Sequence, residues 1–204
     1  MITEKLSIFP LHGVILFPDL QLPLHIFEPR YRALVGSALA KDRRIAMIQP
    51  QTAREGAPLF SIGCVGRIGD VEALEDGRYN IVLEGESRFR MLRELDVSTP
   101  FRQVEAELFE DPEFEALSAV ERASFEREAR EFADRQGYSV DWGSVAQLDD
   151  LSLINGVSQI APFDAAAKQA LLEAPDIASR CELLVQLMQF FGRSDPDEGR
   201  VTLQ

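Results

Sequence analysis

In the first half of the chain, apolar positions come in short runs or alternate with polar ones, and the runs stop at proline or glycine. That is the pattern of β-strands. Leu6, Ile8 and Phe9-Pro10-Leu11 open it, and GVILFP (13–18) follows one short turn later. LQLPLHI (20–26) keeps a proline-flanked strand pattern. RRIAMIQP (43–50) is an apolar run closed by proline, which suits a buried strand. SIGCVGRIGDVEAL (61–74) alternates small and apolar residues, with Gly63, Gly66 and Gly69 spaced as in a bent or bulged strand. RYNIVLEGESRFRML (78–92) places Tyr79, Ile81 and Leu83 on one face, continued by Ser87, Phe89 and Met91. RQVEAELFED (102–111) puts Val104, Ala106 and Leu108 inside and Gln103, Glu105 and Glu107 outside. Asp76-Gly77 is a strong hairpin signal, but a two-residue loop there would set Glu72 opposite Ile81, so a longer loop or a bulge is expected. One helix interrupts the strands. Tyr31, Leu34, Val35 and Ala38 recur at helical spacing, Pro29 suits the first helical position, and Glu28 places a negative charge at the positive end of the helix dipole.

The period then changes. Glu115–Gly137 carries Leu117, Val120, Phe125, Ala129 and Phe132 among charges and stops at glycine, as a long helix does. A second helix is expected through Val145, Leu148, Leu151, Ile154 or Leu153, and Val157, stopped by Pro162. Asp164 caps AAAKQALLE, and Asp176 caps a last helix with Ile177, Cys181, Leu184, Leu187 or Met188, and Phe191 on one stripe. Four helices with short links predict a bundle. The expected division is a β-rich lobe over 1–112, a helical lobe over 113–192 and a flexible tail over 193–204.

Charge sharpens this division. Of the net −13, residues 1–100 carry 12 basic and 13 acidic side chains, whereas residues 101–204 carry 9 and 21. An acidic second lobe repels phosphate backbones, so nucleic acid is not an expected partner. No apolar run approaches the roughly 20 residues of a membrane span, and the N-terminus lacks the layout of a signal peptide. Cys64 and Cys181 lie 117 positions apart, outside any metal or redox spacing, and read as reduced thiols of a cytoplasmic protein. The sequence sets no oligomeric state.

Catalytic grammar is sparse. His12 and His25 each follow Pro-Leu, and either would have to act as the base for a nucleophile such as Cys64. No G-x-S-x-G, H-E-x-x-H or phosphate-cradling glycine loop occurs, and GCVGRIG lacks the order of a dinucleotide loop. No catalytic residue, metal ligand or cofactor site is therefore expected. The carboxylate pairs Asp149-Asp150 and Glu84/Glu86 read as solvent-facing. Arg88, Arg90 and Arg93 form one basic strip that Glu105 and Glu107 can neutralise across the sheet. The segment Phe9–Phe27 is richer in apolar residues than strand alternation can bury. Two readings remain open. In one, Phe17, Leu20 and Leu22 line a shallow groove for an extended apolar peptide, with Glu28 and Arg30 at its rim. In the other, the same residues are buried between the two lobes.

FPL followed by VILFPDLQLPLHIFEPRYRALV, then IGCVGRI with DGRYNIVLEGESRFRML, then the closing LINGVSQIAPFDAAAKQALLEAPDIASRCELLVQLM resemble, in order, three blocks of the Lon N-terminal (substrate-binding) domain. The resemblance runs from about Leu6 to Phe191. It implies an α+β fold: a six-stranded PUA-like pseudo-barrel with one helix, followed by the helical bundle. It also implies a module that holds unfolded or extended protein segments without cutting them, as an adaptor or holdase, because no ATPase or Ser-Lys protease motif stands in these residues. Asp19 replaces a glycine common in the family, a change that a left-handed turn tolerates. An RNA-binding PUA-like protein is the alternative reading, and a Cys64–histidine hydrolase is a third.

Overall fold

The computed structural model describes residues 3–109 and 116–192. In chain order the elements are β1 (Thr3–Pro10), β2 (Gln21–Ile26), α1 (Pro29–Leu39), β3 (Arg44–Pro50), β4 (Leu59–Ala73), β5 (Tyr79–Leu95), β6 (Gln103–Leu108), α2 (Ala119–Gln136), α3 (Trp142–Val145), α4 (Asp150–Ile160), α5 (Ala165–Glu173) and α6 (Ile177–Phe191). They form two compact units. One holds Met1–Glu113 with Asp164–Glu173, the other Phe114–Phe163 with Ala174–Gln204. The α+β class expected from the sequence is the observed one.

The first unit is a mixed sheet in the order β2-β5-β4-β3-β1-β6, closed by a further pairing of β5 with β6. Closure is possible because β5 is long. Tyr79–Glu84 pairs with β2, and Phe89–Leu95 pairs with β6 on the same edge. β1 and β3 run parallel, with β2 and α1 in the connection between them. Gly63 and Gly66 sit where β4 is crowded; a Cβ at Gly63 would strike the Met47 carbonyl and the Phe89 ring. A register shift between Val65 and Gly66 marks the expected bulge.

Local grammar was accurate for α1. It begins at Pro29 and buries Tyr31, Leu34, Val35 and Ala38. These join Phe9, Leu16, Ile26, Ile45, Met47, Ile68 and Leu83 in one apolar cluster. The β4–β5 loop runs over 74–78, so Glu72 faces Asn80 and Val71 faces Ile81. Two strand expectations fail. GVILFP forms no strand, although Ile15, Leu16 and Phe17 are buried. Its backbone lies so close over Gly85 that a side chain there would collide with Phe17. The chain then turns at Asp19, in the left-handed region at φ 63°, and donates from the Asp19 N–H to the Gly85 carbonyl at 3.0 Å. Gln103, expected outside, is buried and donates from its Nε2 to the Thr99 hydroxyl at 3.0 Å.

The helices sort differently from the expected four-helix bundle. α5, like α1, belongs with the sheet, and α2, α3, α4 and α6 lie in the second unit, α3 being a single turn. Buried polar bonds explain the transfer. Gln169 of α5 donates from Nε2 to the Ile62 carbonyl (3.0 Å) and accepts at Oε1 from Gln49 Nε2 (3.0 Å). Gln49 also donates to the Ala165 carbonyl (3.1 Å) and accepts from the Gly13 N–H (2.9 Å). Arg88 reaches the Leu172 carbonyl at 3.0 Å, a cation at the negative end of the helix dipole. In the second unit, Ser118 and Glu121 form a capping box at the start of α2, which ends at Gly137 in the left-handed conformation. α6 packs against both α2 and α4. Val120, placed on the buried stripe by its spacing, is 79% exposed. The 112/113 boundary and the tail from 193 lie outside the described residues.

Candidate functional site

A cleft of about 630 Å³ lies within the first unit. The end of β1, the end of β2, the start of α1 and the 53–57 loop surround it, and Arg102 approaches from just before β6. Phe9 and Tyr31 contribute a tilted ring pair with centroids 4.2 Å apart, both nearly buried. Burial pushes the Tyr31 hydroxyl above its ordinary pKa, and that hydroxyl donates to the Pro10 carbonyl at 3.5 Å. Phe27 also borders the cleft and is 59% exposed. Strand alternation explains its exposure. Ile26 takes the inward position after Leu22 and Leu24, and the chain enters α1 before another inward position arises.

Charges border the apolar part. Arg30 stacks over the Tyr31 ring at 4.8 Å and bridges Glu28 (2.9 Å) and Glu55 (3.1 Å). Glu28 therefore spends its carboxylate on Arg30, and the N-cap of α1 has no side-chain hydrogen bond. Arg102 holds Glu94 through two bonds of 2.6 and 2.7 Å, which keep that carboxyl below the usual carboxylate range.

The five expected groove residues separate. Glu28 and Arg30 border the cleft. Phe17 is 0% exposed and cannot meet a peptide at the surface. Leu22 is half-buried and packs against the Phe9–Tyr31 cluster, and Leu20 is half-buried outside the cleft lining. Phe17, Leu20 and Leu22 therefore do not line this cleft, and the exposed aromatic beside it is Phe27, ten residues beyond Phe17. Its sequence signal was an aromatic residue that belongs to neither the inward face of β2 nor the stripe of α1.

The hydrolase reading gains no support from where its residues lie. The Cys64 thiol is buried and donates to the Val65 carbonyl, whereas both histidines are exposed. His25 is fixed by its neighbours: Arg78 can only donate to Nε2 (3.4 Å), so Nδ1–H donates to Asn80 Oδ1 (2.7 Å). Asn80 in turn donates to Glu72 (2.6 Å), leaving His25 a structural role at the cleft edge. The basic strip is also engaged. Arg88 is buried against α5, and Arg93 pairs with Glu105 at 2.5 Å. Among the described residues no cluster of His, Cys, Asp and Glu is arranged to hold a metal ion, and no helix is long and apolar enough to cross a membrane.

A family model described as the ATP-dependent protease La (LON) substrate-binding domain matches residues 5–189. The chain belongs to the LON substrate-binding domain family. Lon protease 2 of Syntrophobacter fumaroxidans is 27% identical over 190 residues, covering 88% of this chain and 23% of that protein. Lon protease of Escherichia coli K12 is 25% identical over 195 residues, 91% of this chain and 24% of that protein. The chain thus spans roughly a quarter of the length of these curated relatives. Among solved structures, the Lon N-terminal domain protein from Xanthomonas campestris superposes with a TM-score of 0.69 at 22% identity, covering 90% of this chain and 98% of that one. The N-terminal domain of Mycobacterium avium complex Lon protease gives 0.67 at 20%, covering 91% and 98%. At these identities the structural likeness establishes the LON N-terminal fold.

Proposed function

We propose that this chain is a non-enzymatic module that captures unfolded or extended protein segments in the Phe9–Tyr31–Phe27 cleft and serves as an adaptor or holdase. The carrying observation is Phe27, a phenyl ring 59% exposed beside a 630 Å³ cleft, in a family described as substrate-binding. A cytoplasmic setting accords with two buried, unbridged cysteines. Binding is expected to be weak, because ordering a flexible segment offsets much of the gross interaction energy. The RNA alternative loses support because Arg88 and Arg93 are already bonded within the protein.

Fluorescence anisotropy with labelled, reduced and carboxymethylated α-lactalbumin tests the proposal, with native α-lactalbumin as the control. The unfolded form should bind and the native form should not. Phe27→Glu should weaken binding about tenfold, the order expected for losing a buried phenyl contact, without lowering the melting temperature. Equal binding by wild type and Phe27→Glu would overturn the assignment of the cleft.

A further inference from the structure

We infer that the cleft selects segments in which an aromatic or branched aliphatic side chain is accompanied by a carboxylate, which Arg30 and Arg54 accept in exchange for Glu55. The inference rests on the cleft being the peptide site and adds the chemistry it reads. The Arg30 guanidinium carbon lies 4.8 Å from the centre of the Tyr31 ring, so its N–H donors border the apolar surface that would take the side chain. The guanidinium holds two carboxylates of unlike standing, Glu28 on Nε and Nη2 and Glu55 on Nη1. Glu28 is two residues away at the start of the same helix and moves with Arg30. Glu55 reaches across from the 51–58 loop, 25 positions away, with a side chain 85% exposed. Exposed pairs of this kind shift an equilibrium by less than a factor of about five, so a ligand can displace Glu55. The place Glu55 vacates is a charged N–H donor at Nη1, the Nε and Nη2 donors staying with Glu28, and a charged donor bonds a carboxylate more strongly than a neutral acceptor.

The charge count points the same way. Arg30, Arg54 and Arg102 border the cleft with Glu28 and Glu55, and Glu94 neutralises Arg102. Arg54 has no ion pair among the described residues. With Glu55 displaced, one positive charge beside the apolar surface is left for the ligand. The acidic remainder of the chain opposes this only weakly, since charges beyond about 8 Å are screened at physiological salt. Glu55 is, in effect, an internal stand-in for the ligand carboxylate.

Three fluorescein-labelled peptides separate the outcomes: one ending in Leu-Ala-Phe with a free carboxylate, its C-terminal amide, and an amide carrying Asp directly after Phe. The free acid should bind the intact chain about fivefold more tightly than the plain amide, and high salt should remove the difference. Arg30→Gln should abolish the preference. Glu55→Gln should strengthen the acid about two- to fivefold and leave the amide unchanged, with melting temperatures confirming the fold of both variants. An Asp peptide that matches the free acid identifies a side-chain carboxylate as sufficient; one that matches the plain amide identifies the chain end. Equal binding of acid and both amides, weakened together by Phe27→Glu, would overturn the carboxylate inference and leave the cleft standing. Binding that ignores Phe27→Glu, or no binding by any peptide, would remove both.

Discussion

Phe17 and Phe27 show how little residue type says about role. Both are phenylalanines in one apolar segment, yet Phe17 is fully buried and Phe27 is largely exposed. Phe17→Glu should therefore unfold the protein or cost several kcal/mol, because an unpaired carboxylate would enter an apolar site. Urea denaturation would reveal this, and an unchanged midpoint would refute the burial. Ionisable residues set the pH limits. Glu94 is held below its ordinary range by the hydrogen bonds of Arg102, and Asp149 and Asp176 by the backbone N–H and hydroxyl of Ser152 and Ser179. Each folded value lies below the unfolded one, so the stabilisation is complete above the unfolded range near pH 4 and disappears as pH falls through the folded values. The melting temperature should be level from about pH 7 to 5 and fall below about pH 4, with Glu94→Gln removing part of the fall. At the alkaline end, burial pushes the Cys181 thiol up to about 11, with Glu121 and Asp150 adding to the shift, so it should resist alkylation at neutral pH until the protein unfolds.

Among the elements, the starts of α1, α5 and α6 were legible. By contrast, α2 begins at Ala119 and not at Glu115, and the helix expected through Val145 is two, α3 and α4. Asp164 accepts from the Ala167 N–H at 2.8 Å and Asp176 from the Ser179 N–H at 2.7 Å, as their positions before apolar stripes imply. Asp149, read as a solvent-facing carboxylate, does the same for α4 through the Ser152 N–H at 2.8 Å. Its neighbour Asp150 pairs with Arg122 at 2.6 Å and accepts from the Leu117 N–H. Asp176→Ala should cost about 1 kcal/mol by removing the cap of α6, measurable as a shifted urea midpoint with an unchanged slope. Strand limits were less legible. GVILFP has the composition of a strand but not its pairing, because pairing depends on a neighbour and Gly85 brings the Phe17–Pro18 backbone close to β5. Val120 fails for a related reason. A helical stripe predicts which residues share a face, but the extent of the packed face depends on which helix lies against it.

For the whole molecule, the placement of α5 was the feature furthest from sight. AAAKQALLE reads as one more bundle helix, yet it is anchored to the sheet through Gln169, Gln49 and Arg88. Gln169→Leu should leave the Ile62 carbonyl and Gln49 short of partners at a cost of about 1–3 kcal/mol. Hydrogen exchange should then accelerate in α5 and around Gly13 more than in α2, whereas uniform acceleration would argue against a local anchor. The sequence by itself determined the family, the switch from strands to helices, the core face of α1 and the caps Asp164 and Asp176. These depend on periodicity and contacts between near neighbours, which a linear chain already specifies. Only the tertiary structure decided that β5 closes the sheet, that α5 leaves the bundle, and that Phe27 rather than Phe17 faces the cleft beside Arg30 and Glu55. Those outcomes depend on partners brought together from 25 to 120 positions apart, such as Arg30 with Glu55 and Gln49 with Gln169, whose meeting is set by packing and not by spacing.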